Sequence, residues 1–226
     1  MQLSTAHQSD LTNTPVHTCT LPTMSSRPHQ SRAERKENTR RALLDGALSL
    51  AAERGFAGVS LREIARTADL VPTAFYRHFA SLDELGLVLV DEATAALRAS
   101  LRDARRTDTA AARLQVFTEH LQAAPELFLF VYRERYGGNE RVRKAIETEL
   151  RLVTADFTID LSRLPTTKNW DTDDLDMAAG LIVSTMLDGV ASWASSSERA
   201  KPDVLARMHR QLRLVLVGVK EWKPKR

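Results

Sequence analysis

The chain has 226 residues, of which 43% are hydrophobic and 27% are charged. That length can bury a sizeable core and fits one or two domains. The formal net charge of +3 is too small to identify a nucleic-acid-binding protein by itself. A lone cysteine, Cys19, excludes an intramolecular disulfide and a thiolate metal site.

The first residues are rich in Ser, Thr, Gln, His and Pro, and this composition predicts a disordered tail over residues 1–31. Translation could start at Met1 or at Met24. The tail has neither the basic start nor the apolar core of a signal peptide, and no apolar run approaches the roughly 20 residues of a membrane-spanning helix. We therefore expect a cytoplasmic protein that makes no membrane contact.

Positive charge is concentrated directly after the tail. Five cations and two glutamates lie between residues 32 and 41: Arg32, Arg35, Lys36, Arg40, Arg41, Glu34 and Glu37. A basic helix start can contact DNA phosphates, and Thr39 and Arg40 are the best candidates for that role. A solvated helix end of mixed charge is the alternative interpretation.

Two helix-start signatures follow. Each is a serine with a glutamate three residues later, which is the spacing of a reciprocal capping box: Ser60 with Glu63, and Ser81 with Glu84. Between them the pattern predicts a short helix, a turn at residues 68–70 and a second helix starting near Pro72. In that second helix Phe75 and Phe79 point inward, which leaves four polar side chains outside: Thr73, Tyr76, Arg77 and His78.

A helix, a short turn and a second helix with an exposed polar face form a helix-turn-helix unit, whose second helix lies in the DNA major groove. An ordinary helical hairpin fits the spacing equally well. The amino-acid sequence of residues 40–85, however, resembles the DNA-binding domain of TetR-family transcriptional repressors. The segments that carry the resemblance are Glu53-Arg54-Gly55-Phe56, Ile64-Ala65 and Phe75-Tyr76-x-x-Phe79.

The resemblance implies an all-α protein of about nine helices. A three-helix DNA-binding domain would cover residues 32–81, and a helical domain for effector binding and dimerisation would cover residues 82–226. It also implies which positions face DNA, with the tyrosine on a phosphate: Val71, Pro72, Thr73, Tyr76, Arg77 and His78.

The chain departs from the commonest wording of that family at Val71-Pro72-Thr73-Ala74 and at Leu82-Asp83, where the family often has a lysine. The run Pro72-Thr73-x-Phe75-Tyr76-Arg77-His78-Phe79, followed by Asp83–Leu87, resembles the FabR/DesT subgroup of fatty-acid repressors. The resemblance resumes within Leu127–Leu150, at Arg133-Glu134-Arg135 and Ala145-Ile146. That resemblance implies long-chain acyl-CoA effectors and target genes of fatty-acid metabolism. A TetR-type regulator that responds to a drug or another small hydrophobic ligand is the alternative.

The remainder of the chain is predicted to be helical. The last two helices, near residues 172–195 and 202–222, are apolar over more than one face, which favours a homodimer built on a four-helix interface that includes Leu212. A dimer presents two recognition helices about 34–36 Å apart and therefore binds a palindromic operator in double-stranded DNA.

Several apolar side chains could line an effector cavity, although core packing is the commoner role for each: Phe117, Leu121, Phe128, Val131 and Met186. Arginine matches phosphate oxygens, so the cations Arg133, Arg135, Arg141, Arg143 and Lys144 could receive the phosphates of coenzyme A. Solvated helix faces paired with glutamates explain the same cations equally well.

No sequence motif supports an enzyme. The chain has no Gly-rich phosphate loop and no Gly-x-Ser-x-Gly segment, so we expect no catalytic residues, metal or cofactor. The carboxylates near Asp171 lie at a predicted helix start, where they complement the helix dipole. The sequence thus predicts a ligand-responsive DNA-binding repressor, and a helical interaction module that binds no DNA is the other class left open.

Overall fold

A computed structural model describes residues 31–223 of the chain. Within that range there are nine α-helices and no strand: α1 Arg32–Arg54, α2 Leu61–Thr67, α3 Pro72–Phe75, α4 Leu82–Ala104, α5 Ala110–Ala123, α6 Pro125–Glu134, α7 Glu140–Ser162, α8 Thr172–Ala194 and α9 Lys201–Glu221. Short 3₁₀ turns follow α1 at Phe56–Gly58 and α7 at Pro165–Thr167. The all-helical prediction of about nine helices is confirmed.

Serine caps begin the helices of the N-terminal part. The predicted tail over residues 1–31 lies outside the described residues except for Ser31, which forms a capping box with Glu34 at the start of α1. Ser60 and Glu63 form the reciprocal box that their spacing predicts. At the start of α4 the box is only half formed, because the Glu84 carboxylate accepts the N–H of Ala80 instead of that of Ser81.

The core of the N-terminal part lies beneath α1. Its apolar stripe, which includes Leu43 and Ala47, is fully buried against the later helices. Ile64 of α2 and Phe75 of α3 are also fully buried, and Phe79 is 1% exposed. The two phenylalanine rings pack on each other with centroids 5.6 Å apart. This packing fixes α2 and α3 against the scaffold helix α1.

The recognition helix is shorter than the sequence pattern suggests. Only Pro72–Phe75 is α-helical, and the chain then continues through hydrogen-bonded turns in which the N–H groups of His78 and Phe79 both bond to the carbonyl of Phe75. Its predicted residues Tyr76, Arg77 and His78 therefore lie in a turn that prolongs the helix. Asp69, at φ 55°, reverses the chain between α2 and α3.

The helices from α4 onward form one bundle. α4 packs on α5, α6 and α7, and α8 packs on α6, α7 and α9. By length and composition alone α8 could cross a membrane, but 50% of its apolar window is buried. It lies inside the bundle, where Ala179 and Val190 are fully enclosed, so it serves as a core helix.

Acid should weaken the α2 cap. Hydrogen bonds from Ser60 and from Arg54 lower the pKa of Glu63 from 4.5 to about 2. A carboxylate with a depressed pKa contributes stability above its ordinary pKa, and that contribution is lost as the pH falls from 4.5 towards 2. We expect Glu63→Gln to reduce the dependence of unfolding free energy on pH in that window, as measured by urea denaturation. Glu147→Gln, on the exposed face of α7, is the control, and an equal reduction there would contradict the expectation.

Candidate DNA-binding surface and effector cavity

The predicted recognition residues form one exposed surface on α3 and the turn after it. Val71, Pro72 and Thr73 begin the helix in the open, and Val71 is 66% exposed. Tyr76 is 62% exposed, with its ring edge-to-face on Phe75 at a centroid distance of 5.8 Å. Arg77 is exposed beside it. The buried phenylalanine thus orients the tyrosine and leaves its outer edge accessible to a partner.

His78 differs from its exposed neighbours. It is only half-exposed, and its Nδ1 is buried without a hydrogen bond to any described residue. Burial lowers its pKa, and the nearby cations Lys36, Arg40 and Arg77 lower the pKa further. His78 is therefore neutral at pH 7, so it offers this surface a hydrogen-bonding group and no positive charge.

The first half of α1 brings Lys36 and Arg40 close to this surface, since both act on the pKa of His78. Arg32, Arg35 and Lys36 are exposed, and the guanidinium of Arg40 lies 4.5 Å from the centre of the Phe79 ring. This stacking holds Arg40 close to the recognition turn. Thr39 is half-buried, and its hydroxyl donates to the carbonyl of Arg35 at 2.8 Å, which leaves the oxygen free to accept.

A small cavity lies among α4, α5, α6, α7 and α8. Its volume is about 20 Å³, and every residue that lines it is apolar: Ala93, Leu97, Phe117, Phe128, Val131, Leu150, Val153, Phe157, Val183, Met186, Leu187 and Val190. Binding sites for organic ligands are typically about 300–1,000 Å³. A ligand of that size can enter only if these helices move apart.

Four predicted residues line the cavity: Phe117, Phe128, Val131 and Met186. Leu121 is fully buried but lies outside the lining. Sequence reasoning missed the contributions of α4 and α7. Their stripes, such as Leu150, Val153 and Phe157, have clear helical periodicity, but periodicity alone does not distinguish a cavity wall from ordinary core.

The predicted head-group cations are dispersed, and four of the five have protein partners: Arg133, Arg135, Arg141 and Lys144. Arg133 donates to the carbonyl of Ala52 in α1 and so lies away from the cavity. Arg135 stacks between the rings of Tyr132 and Tyr136, at 4.7 and 4.8 Å, with Asp188 at 3.4 Å. The remaining pairs are Arg141 with Asp83 at 3.5 Å and Lys144 with Glu140 at 2.6 Å. Only the contact between Lys144 and Glu140 is a pairing with one of the glutamates that the alternative interpretation names.

One face of α8 and α9 exposes large apolar side chains. Leu181 and Met177 of α8 are 52% and 48% exposed, and Leu214 and Val217 of α9 are 71% and 49% exposed. Leu212, which the sequence pattern assigns to a dimer interface, is instead 6% exposed and packs within its own chain. The orientation of α9 about its own axis determines which of its apolar side chains are buried. The sequence does not predict that orientation, because the helix is apolar on more than one face.

The histidines and carboxylates of residues 31–223 include no group of three or more that could hold a metal ion. Asp171 caps α8 by accepting the N–H of Asp174 at 2.8 Å. The carboxylates at this helix start therefore have the structural role expected from the helix dipole.

A short helix-turn-helix beside a basic helix start, joined to a helical bundle, is the arrangement expected of a DNA-binding transcriptional regulator. Residues 43–87 match the sequence model described as bacterial regulatory proteins, tetR family. Over these residues, which run from α1 through α2 and α3 into the start of α4, the chain is similar to that family.

Solved structures support the same fold. A transcriptional regulator from Rhodococcus sp. Rha1 superposes with a TM-score of 0.63 at 21% identity, covering 84% of this chain and 99% of that one. FadR from Bacillus subtilis, solved in complex with stearoyl-CoA, gives 0.61 at 19% identity, with 79% and 98% covered. The fatty acid degradation regulator FadR from Bacillus halodurans gives 0.62 at 16% identity, with 80% and 95% covered.

Proposed function

We propose that this chain is a dimeric repressor of lipid-metabolism genes whose operator affinity is modulated by a long-chain acyl-CoA. The observation that carries the proposal is a wholly apolar cavity whose wall includes Ala93 and Leu97 of α4, the helix that continues directly from the helix-turn-helix. The resemblance of the sequence to the FabR/DesT subgroup supports a lipid as the class of effector. So does the similarity in fold to a regulator solved with stearoyl-CoA.

The exposed recognition surface would contact an operator in the major groove. Tyr76, Thr73 and Thr39 suit phosphate contacts, and Val71 with Pro72 offers apolar contact to a thymine methyl group. The long guanidinium of Arg77 can donate two parallel hydrogen bonds to O6 and N7 of guanine. Arg40 and the neutral His78 lie close together beside the recognition turn, where they would contact the DNA backbone and position the domain on it.

Arg77→Ala should weaken operator binding by about 1–3 kcal/mol if Arg77 contacts a base. Fluorescence anisotropy with an operator selected from random duplexes, and with a scrambled duplex, measures the effect. Arg151→Ala removes the same charge from the exposed face of α7 and is the control. Equal losses on operator and scrambled DNA would assign Arg77 to a phosphate.

The apolar face of α8 and α9 would pair with its counterpart in a second chain. Two glycines lie on these helices, and a side chain added at Gly180 or Gly218 would meet nothing within 4 Å. Positions without side chains allow two helices to approach closely, as in a four-helix interface. The twofold symmetry of such a dimer matches a palindromic operator with half-sites about 34–36 Å apart.

Leu214→Glu should convert the dimer to a monomer, because it places a charge in the centre of the paired face. Sedimentation velocity measures the mass. Leu152→Glu, at an α7 side chain that is 52% exposed, should leave the dimer intact. A Leu214→Glu protein of unchanged mass would place the interface elsewhere.

Opening of the cavity would provide the response to the effector. An acyl chain would lie among Phe117, Phe128, Val131 and Met186, and the helices that carry them must separate to admit it. Arg133 and Arg135 would have to exchange their present partners for coenzyme A phosphates. Operator and effector binding are then reciprocally coupled, typically by about 1–3 kcal/mol.

Operator affinity should change several-fold when stearoyl-CoA or oleoyl-CoA is added, and free coenzyme A should have no effect. The sign of the change distinguishes a co-repressor from an inducer. Tight, salt-sensitive operator binding that ignores both acyl-CoA species would retain the DNA-binding function and discard the lipid effector. Binding without steep salt dependence would instead contradict the DNA-binding function.

A further inference from the structure

The end of α1 is held by α6. If α1 continued for one more residue, the N–H of Phe56 would bond to the carbonyl of Ala52. Gly55, at φ 80°, turns the chain away and separates these two groups. The Phe56 N–H donates instead to Oε1 of Glu134 at 2.8 Å, and the Ala52 carbonyl accepts from Arg133. Two adjacent α6 residues thus replace both halves of the missing helical hydrogen bond.

The aromatic ring of Phe56 reinforces this contact. It is 3% exposed and lies edge-to-face on Phe130, with ring centroids 5.9 Å apart. A side chain added at Gly86 of α4 would come within 2.7 Å of both the Phe56 ring and Val142. The ring therefore fills a socket formed by α4, α6 and α7. We call the contact of Ala52 and Phe56 with Phe130, Arg133 and Glu134 the α1–α6 joint.

Glu134 is the member of the joint that water cannot replace. It is 2% exposed, although carboxylates are rarely buried without hydrogen-bonding partners. Gly137 leaves the space that its carboxylate occupies, because a side chain there would overlap Oε2. Removal of this carboxylate would leave the buried Phe56 N–H without an acceptor. The carboxylate therefore fixes the DNA-binding domain at one point on the bundle.

The same short helix also forms part of the cavity wall. Phe128 and Val131 of α6 line the cavity, while Phe130 and Glu134 hold Phe56. A displacement of α6 that widens the cavity must therefore also move the end of α1. We propose that Glu134 is a positioning residue, which sets the orientation of the DNA-binding domain and transmits the opening of the cavity to it through α6. The transmission step rests on the proposed function, whereas the orienting step does not.

Distances measured without an effector test the orienting step. With Cys19→Ser as background, spin labels at exposed positions 49 in α1 and 147 in α7 report the distance between the two domains. Dilution with unlabelled protein isolates the signal within one chain. We expect a narrow distribution in the parent protein and a broadened or shifted one in Glu134→Ala. Glu134→Gln should remain narrow, because its amide oxygen still accepts the Phe56 N–H.

Glu126→Ala, which removes an exposed carboxylate from the same helix, is the matched control and should change nothing. Gly86→Ala is a second disrupting variant, because it displaces the Phe56 ring and retains every polar group. Gly58→Ala is its control, since the added atom would meet Arg54 at an ordinary 3.7 Å. An unchanged distance distribution in both Glu134→Ala and Gly86→Ala would overturn the proposal.

Operator binding tests transmission in the same proteins. The effect of stearoyl-CoA on operator affinity should shrink from several-fold to none in Glu134→Ala and persist in Glu134→Gln. Coupling that survives in Glu134→Ala would overturn the transmission step. A parent protein that binds operator but ignores stearoyl-CoA would refute the lipid effector, while the distances still decide whether Glu134 orients the domain.

Discussion

The recognition helix α3 is too short to be stable as a helix without the packing of its neighbours. A helix of four residues lies far below the length at which helices persist in water, so its geometry depends on burial of Phe75 and Phe79 beneath α1. α1 therefore decides where Tyr76 and Arg77 point. α1 is fixed in turn by its contact with α6, one side of which forms the cavity wall. The proposed DNA-binding surface and the cavity are thus connected through buried side chains of α1 and α6.

The small volume of the cavity matters because its wall and α1 are connected through α6. A space of about 20 Å³ holds little more than one water molecule, so the present packing is incompatible with a long acyl chain. Packed interiors do not deform continuously but change between discrete arrangements. An effector that binds only the opened arrangement shifts the population towards it, by an amount limited to its differential affinity for the two states. In the proposed function, this opening is the step through which a ligand would change the affinity for DNA.

Local sequence signals predicted much of the fold. Ser60 and Glu63 needed only their spacing to predict a cap, and Gly55 marked the end of α1 because the chain there requires a positive φ. Burial of Phe75 and Phe79 followed from their four-residue spacing. The length of α3 was harder to predict, since tertiary packing and not local propensity holds the turn after Phe75.

Features that depend on helix rotation or on distant partners could not be predicted. Leu212 and Leu214 are two residues apart on the same apolar helix, yet Leu212 is buried and Leu214 is 71% exposed. Arg133 and Arg135 appeared to be equivalent cations, but one caps α1 and the other stacks between tyrosines. Their partners lie far away in sequence, so periodicity carries no information about them.

In the run Arg133-Glu134-Arg135, the residue argued to matter most is the buried glutamate and not either of the two arginines. Its arginines have the chemistry of phosphate ligands, whereas the buried carboxylate between them accepts the N–H of Phe56 at the end of α1. A surface cation can exchange its partner for water at little cost, because solvent competes for every exposed ion pair. A buried acceptor has no such substitute. Glu134 can therefore fix the end of α1 on α6 as proposed, whereas water can replace the exposed Arg133 in its contact with the Ala52 carbonyl.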